Sequence, residues 1–312
     1  MSEVCVLLPS FIPLDQIRQA LSSVISGTEV HHDREFSGSG SKVLIVTTFT
    51  KVGKEIVGRM PNLRFVQVAS TGYDNVDIDL LKSKGIKLSN IPTANKESVA
   101  EHVVMMAFAL LRDLVPLDSN IKSRRWPSLT TGRELKGKVF AIIGLGMIGA
   151  KLAERLLPFE ASLVYYDIER KPEELEQRLG ITFLSLEVCL KSADIISLHL
   201  PLTEKTRGMF SKREFDLMRR GSIFINTSRA EVVDEKALVE AVNTKELKVG
   251  IDVFQKEPPD FDSELFQLDK NKVLFSPHLA GSTAESQERF MVETMRNVLH
   301  YLQGTEPLYQ VI

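Results

Sequence analysis

The chain has 312 residues, 43% hydrophobic and 26% charged, with a formal net charge of −2. That length favours two domains with sizeable cores, and nothing in the charge balance points to nucleic acid or an anionic membrane as a partner. Cys5 and Cys189 lack C-x-x-C spacing and read as reduced core thiols, "MSEVCVLLPSFIPL" has no basic leader region, and the apolar "VVMMAFALL" is too short to cross a bilayer, so a cytoplasmic location is expected.

The first third alternates apolar strands with helical patterns. Strands are expected at 4–8, 42–48, 64–69 and 86–89, with helices near 14–24, 53–59 and 78–83. The Gly/Ser-rich "FSGSGSK" has no P-loop spacing and reads as a flexible connection. After "NIPTAN" a long helix is expected over 96–114, followed by the loop-rich bridge "RRWPSLTTGRELKGK". A second series of strands follows at 138–143, 163–167, 181–184, 195–200, 222–226, 249–253 and 273–275. Seven strands with intervening helices suffice for a doubly wound parallel sheet. A last helix, 284–302, would return to the first series, so the chain crosses twice and leaves a cleft between two α/β units.

The strongest local signal is "KVFAIIGLGMIGAKLAERL". Gly144, Gly146 and Gly149 form G-x-G-x-x-G directly after an apolar strand and at the start of a helical pattern. The first allows the tight turn, the second lets backbone approach a pyrophosphate, and the third lets helix and strand pack closely. The helix N-terminus offers N–H groups and a positive dipole end to phosphates. The next strand ends in Asp167, placed to accept hydrogen bonds from an adenosine ribose and to disfavour the extra phosphate of NADP, so NAD is the expected cofactor. Arg170 and Lys171 follow closely and leave room for some NADP use.

Ligands of open α/β sheets bind outside the carboxyl ends of the strands. Those ends here carry Leu200; Thr227, Ser228 and Arg229; Asp252 and then Glu257; and His278, followed by Gly281. Taken singly, His278 also suits a loop histidine, Glu257 a solvated acid before prolines, and Arg229 an ion pair with Glu231 or Asp234. Together they suit hydride transfer at a hydroxyl carbon. A histidine exchanges the hydroxyl proton, a carboxylate beside it favours imidazolium and fixes the ring, and an arginine holds a substrate carboxylate through two parallel hydrogen bonds. His31, His32 and His300 read as surface positions, His199 as part of a strand, and His102 as a packed helical residue. None stands at metal-ligand spacing, so no metal is expected.

With "STGYDNVD", "ANKESVAEHVV", "LKGKVFAIIGLGMIG", "PLTEKTRGMF", "INTSRAEVVDE", "GIDVFQKEP" and "SPHLAG" in order along nearly the whole chain, the sequence resembles the D-isomer-specific 2-hydroxyacid dehydrogenases. The resemblance implies NAD(P)-linked interconversion of 2-oxo acids and D-2-hydroxy acids. It implies a catalytic trio of Arg229, Glu257 and His278, and a substrate carboxylate bound by Arg229 and by the backbone of Ser70, Thr71 and Gly72. Thr71, Gly144, Gly146, Met147, Ile148, Gly149, Asp167, Leu200, Thr227, Ser228, Asp252, His278 and Gly281 would line the cofactor. It further implies a homodimer joined through the nucleotide domains, and domain closure during hydride transfer. The expected architecture is a Rossmann-type doubly wound sheet (99–282, NAD-binding) inserted in a smaller flavodoxin-like α/β domain (1–98 plus 283–312, substrate-binding).

Two departures matter. Ala230 stands where the family usually has glycine, which would cost stability if that residue needs positive φ. Thr47 and Val68 stand where relatives that oxidise 3-phosphoglycerate tend to place arginines, and Lys51 and Lys54 would replace them only as flexible point charges. A small unphosphorylated oxo acid, glyoxylate or hydroxypyruvate, is therefore favoured. D-3-phosphoglycerate dehydrogenase and an NAD-sensing corepressor-like binding protein are the alternatives. The formate-oxidising branch usually has Gln where Glu257 stands. Substrate side-chain contacts are expected near Ser10, Phe49 and Tyr73, and Trp126 reads as dimer packing, with a contact to a neighbouring active site as the alternative.

Overall fold

The structure, a computed structural model, describes residues 2–22, 25, 27–127 and 131–312. The chain divides into two compact units, Met1–Asn95 with Thr283–Ile312, and Lys96–Ser282. The first contains β1 (Val4–Leu8), α1 (Leu14–Ser22), β2 (Glu29–His32), β3 (Val43–Val46), α2 (Lys54–Gly58), β4 (Phe65–Val68), α3 (Ile78–Ser83) and β5 (Lys87–Ser89). The second contains α4 (Lys96–Leu111), α5 (Leu114–Lys122), β6 (Val139–Ile143), α6 (Met147–Leu156), β7 (Ser162–Tyr166), α7 (Glu173–Leu179), β8 (Ile181–Phe183), α8 (Leu186–Ser192), β9 (Ile195–Leu198), α9 (Lys212–Leu217), β10 (Ile223–Asn226), α10 (Glu235–Thr244), β11 (Lys248–Ile251) and β12 (Val273–Phe275). Helix α11 (Ala284–Leu302) belongs to the first unit again.

The first sheet runs β2-β1-β3-β4-β5, all parallel, which is the flavodoxin-like order. Its strands are apolar on both faces because helices cover both. In β1, Val4, Val6 and Leu8 enter one core with Val298 of α11, while Cys5 and Leu7 enter the other with Ile56 and Val57 of α2.

The second sheet runs β12-β11-β10-β9-β6-β7-β8, also all parallel. Counted within the unit this is the doubly wound order, with the reversal between β6 and β9. Alternate residues of β6 again serve two cores: Phe140 and Ile142 pack with Val103, Met106, Ala107 and Leu110 of α4, and Ala141 and Ile143 with residues of α8 and α10. Gly250 in β11 brings α4 close, since a Cβ there would sit 3.1 Å from Met106 Sδ. Among the described residues, no helix is long and apolar enough to cross a membrane.

Some expectations need correcting. His31 and His32 are not plain surface positions but half-buried members of β2, a strand the periodicity missed. His199 follows β9 rather than lying in it. The long helix stops at Leu111, and Asp113 (φ 52°) turns the chain into a separate α5. Helix α1 is described to Ser22, and the predicted continuation over Ser23 and Val24 lies outside the described residues.

Candidate active site

The glycine loop joins β6 to α6 at the sheet's reversal. Gly144 has φ +99°, and a Cβ on it would lie 2.6 Å from the His199 carbonyl oxygen. A Cβ on Gly149 would lie 2.2 Å from the Gly144 oxygen. Both positions therefore exclude a side chain for reasons internal to the fold. Gly146, the N-cap of α6, is different: a Cβ there meets nothing within 4 Å. That open approach, at a helix end with no side-chain cap, suits a pyrophosphate. Met147 is exposed and Ile148 half-buried beside it.

Asp167 follows β7 and accepts a 2.9 Å hydrogen bond from Leu145 N–H, which ties the acid to the glycine loop. The basic residues after it are engaged. Lys171 Nζ lies 3.1 Å from Asp167 Oδ2. Arg170 makes two bonds, 3.0 and 2.8 Å, to the Glu176 carboxylate. Glu176 also accepts from the buried Tyr165 hydroxyl at 2.7 Å, and these bonds hold it down to about 2.

Arg229, Glu257 and His278 all lie beyond the carboxyl ends of β10, β11 and β12. His278 Nδ1 is 2.7 Å from Glu257 Oε2 and 2.9 Å from Oε1. Phe254 N–H donates to Glu257 Oε1 at 3.2 Å. Burial pushes the Glu257 carboxyl up, but the His278 hydrogen bond and charge, the Phe254 N–H and the positive field of Arg229 outweigh it and leave the acid below its ordinary range. Arg229 is extended (φ −142°) and half-buried; its Nη1 donates to Ser228 O at 2.8 Å, and its carbonyl accepts from Asn226 Nδ2 at 2.9 Å. Asn226 Oδ1 also receives the Ser228 N–H and hydroxyl, at 3.0 and 2.8 Å. The buried Asn226 thus shapes the "NTSR" turn, a role that sequence reading missed. Ala230 opens a short 3-10 turn (Ala230–Val232) and is not among the residues of left-handed backbone, so its Cβ is accommodated.

Other candidate residues are placed as follows. Thr227 Oγ1 is buried with no hydrogen-bond partner, an orphan that a ligand would satisfy. Leu200 and Gly281 are half-buried in the loops after β9 and β12. Asp252 is 1% exposed, and its carboxylate accepts from Ser276 Oγ and from the Leu279 and Ala280 amides. In the first unit, Ser70–Gly72 follows β4. Ile91 N–H donates to Ser70 O at 2.9 Å, Asn90 Nδ2 to Thr71 O at 2.7 Å, and Thr71 Oγ1 lies 2.8 Å from Asn95 Oδ1. The Thr71 hydroxyl is thereby committed to holding the loop.

The fold also assembles Cys5, Glu29 and His31, whose ligand atoms lie within 4.8 Å of one another, a grouping made by the β1–β2 register. Burial pushes the Cys5 thiol up to about 12, which opposes the thiolate that a metal ligand must become.

Residues 104–280 match the D-isomer specific 2-hydroxyacid dehydrogenase, NAD binding domain. The chain is 36% identical over 273 residues to the glyoxylate reductase of Thermococcus litoralis, covering 85% of this chain and 81% of that one. It is 36% identical over 262 residues to the hydroxypyruvate reductase of Thermotoga maritima, covering 83% and 84%. It is 38% identical to the D-3-phosphoglycerate dehydrogenase of Mycobacterium tuberculosis over 84% of this chain, but spans only 49% of that relative. Among solved structures, the D-lactate dehydrogenase of Aquifex aeolicus, complexed with NAD and lactic acid, superposes with a TM-score of 0.85 at 30% identity over 96% of each chain.

Proposed function

The chain belongs to the D-isomer-specific 2-hydroxyacid dehydrogenase family, and from that premise we propose that it interconverts a small 2-oxo acid and its D-2-hydroxy acid, with glyoxylate and hydroxypyruvate favoured. The observation that carries the reading is the His278–Glu257 pair, 2.7 Å apart, with Arg229 acting electrostatically on the same carboxylate.

The residues fit an NAD cofactor. Gly146 leaves a backbone approach open, Asp167 is fixed against the glycine loop, and Thr227 offers a buried unpartnered hydroxyl. NAD, when bound, accepts or supplies the hydride. The chain's own residues do the rest. Arg229 holds the substrate carboxylate in a planar, bidentate grip, and the Ser70–Gly72 backbone is assigned to substrate binding. With Nδ1 turned to Glu257, proton exchange with the substrate oxygen is assigned to His278 Nε2. Glu257 fixes the ring and balances the charge that forms on it.

A small unphosphorylated substrate is supported by residues of the first unit and by the chain's relatives. Val68 is fully buried, and Thr47 presents only a hydroxyl, so neither offers a guanidinium to a phosphate. Lys51 and Lys54 are exposed. Relatives of similar length carry the names glyoxylate reductase and hydroxypyruvate reductase. A cytoplasmic location and a homodimer are part of the proposal; the homodimer is supported by apolar side chains left exposed in the second unit: Leu114 at 60%, Ile121 at 52% and Trp126 at 90%.

The test is a substrate panel. Purified protein with NADH and glyoxylate, hydroxypyruvate, pyruvate or phosphohydroxypyruvate is followed at the nicotinamide absorbance. Faster turnover of the first two is expected. Preference for phosphohydroxypyruvate would overturn the substrate assignment, and tight NADH binding without any turnover would favour an NAD-sensing binding protein.

A further inference from the structure

We propose that His102 is a positioning residue for the reaction, setting the loop that carries His278 through Ser276 and Asp252. The proposal rests on the assignment of His278 as the proton-exchanging group.

His278 has φ +54°, a left-handed backbone that few side chains adopt unaided. Asp252 supplies what holds it there. Its carbonyl oxygen accepts the His278 N–H at 2.7 Å, Oδ1 accepts Leu279 N–H at 3.0 Å, and Oδ2 accepts Ala280 N–H at 2.9 Å. One buried residue thus grips three consecutive amides, the first through its carbonyl and the next two through its carboxylate, so the direction of the Asp252 carboxylate sets the path of the loop just after His278.

That carboxylate is itself oriented. Ser276 Oγ lies 2.5 Å from Asp252 Oδ1 and 3.0 Å from His102 Nε2. A hydroxyl has one proton, and against a carboxylate it must donate. Ser276 therefore accepts from His102, which requires the proton on Nε2. The chain of donation runs from the His102 ring to the Ser276 hydroxyl to the Asp252 carboxylate. Burial lowers the basicity of His102, with the Asp252 charge partly opposing it. The neutral ring with its proton on Nε2 is the form that this chain needs. The imidazole is anchored on α4, whose packing against β11 and β12 ties it to the strands that precede Asp252 and Ser276. Such support of a reacting group by hydrogen bonds behind it is how sites are held to within fractions of an ångström.

The test compares Ser276→Ala, Ser276→Thr, His102→Leu and His102→Gln with the wild type. Thr keeps the hydroxyl, and the Gln amide keeps a donor at about the reach of Nε2. Two readouts are used: steady-state kinetics, and amide hydrogen exchange over residues 278–280. Ser276→Ala and His102→Leu are expected to lower kcat at least tenfold with the KM for NADH within twofold, and to speed exchange of these amides at least tenfold. Thr and Gln are expected to restore most of both. Unchanged exchange and kcat in folded Ser276→Ala and His102→Leu would overturn the proposal, as would failure of Thr and Gln to restore either quantity. If His278→Ala leaves turnover intact, the proton-exchange assignment fails instead. The exchange readout still reports whether His102 and Ser276 set the loop.

Discussion

His278 Nδ1 faces both carboxylate oxygens of Glu257, at 2.7 and 2.9 Å, although 21 residues separate them in the chain. One ring nitrogen is thereby fixed to an acid. The imidazole cannot rotate without breaking a charge-assisted hydrogen bond of the stronger class. The pair sits beyond the carboxyl ends of strands β11 and β12, where ligands of such sheets bind.

Replacing His278 by Ala is expected to lower kcat roughly 100-fold or more, the usual worth of a positioned general acid or base. NADH affinity should stay within about threefold. Glu257→Gln keeps a hydrogen-bond acceptor but loses the charge, and an intermediate loss of about tenfold is expected on the same scale. Wild-type kcat in His278→Ala, with protein shown to be folded, would remove the proton-exchange role.

Arg229→Ala is expected to raise KM for the oxo acid and to lower kcat together, reducing kcat/KM by roughly 100-fold, because binding and orientation share one group. Arg229→Lys should recover little of it, since an ammonium lacks the planar two-pronged grip. Full recovery by Lys would mean that Arg229 acts only as a point charge.

What was legible in the sequence follows the range of each signal. Strand β6 is a run of five apolar residues ending at a glycine loop, and both features are local. Arg229, Glu257 and His278 are legible as neighbours because each lies shortly after a strand end, and parallel topology collects those ends on one edge. Strand β2 was missed because "EVHH" buries only Val30, so neither alternation nor an apolar run marks it. The break at Asp113 was missed because Leu114 and Val115 continue the apolar pattern while staying exposed. Ala230 read as a difficulty because the local backbone was unknown; a 3-10 turn makes it ordinary. The couplings of His102 to Ser276, and of Arg170 and Tyr165 to Glu176, join side chains whose directions no local pattern gives.

Cofactor choice is expected to depend on charges that the fold already engages. Asp167, the acid proposed to meet the ribose, accepts from Leu145 N–H, and Arg170 is bound by Glu176. Asp167→Ala is expected to weaken NADH binding about tenfold or more, the order of at least one hydrogen bond to a charged group, and to narrow the preference over NADPH. Glu176→Gln leaves Arg170 without its carboxylate, so NADPH use should rise. An unchanged NADH/NADPH ratio in both variants would place selectivity elsewhere.

Two glycines of one loop should respond in opposite ways. Gly149→Ala would put a Cβ 2.2 Å from the Gly144 oxygen, a backbone atom that cannot step aside. An overpacking cost of about 3 kcal/mol and a lowered Tm are expected. Gly146→Ala meets nothing within 4 Å, so Tm should hold while NADH affinity falls, because the methyl group occupies the approach to the phosphates. Retained NADH affinity in Gly146→Ala would argue against a pyrophosphate at this turn.

His199 should impose an acid limit on stability that precedes the titration of the carboxylates. Its N–H donates to Ile143 O at 2.8 Å, its Nε2 lies 2.9 Å from Ser197 Oγ, and removal of the ring from water pushes its pKa down to about 3. An unfolded histidine takes up its proton near pH 6.5. Between about 6.5 and 3 the unfolded chain therefore binds a proton that the folded chain refuses, and stability falls as pH falls through that window. Above about 6.5 neither state is protonated and the contribution is flat. Carboxylates held low in the folded state, such as Glu176, add their own losses only below about pH 5. The diagnostic range is thus roughly pH 6.5 to 5. His199→Gln keeps a hydrogen-bonding group near Ser197 and cannot titrate. Its Tm should lie close to that of the wild type at pH 8 and decline less steeply between pH 6.5 and 5. Parallel declines of the two proteins across that range would mean that the His199 ring accepts its proton in the folded state.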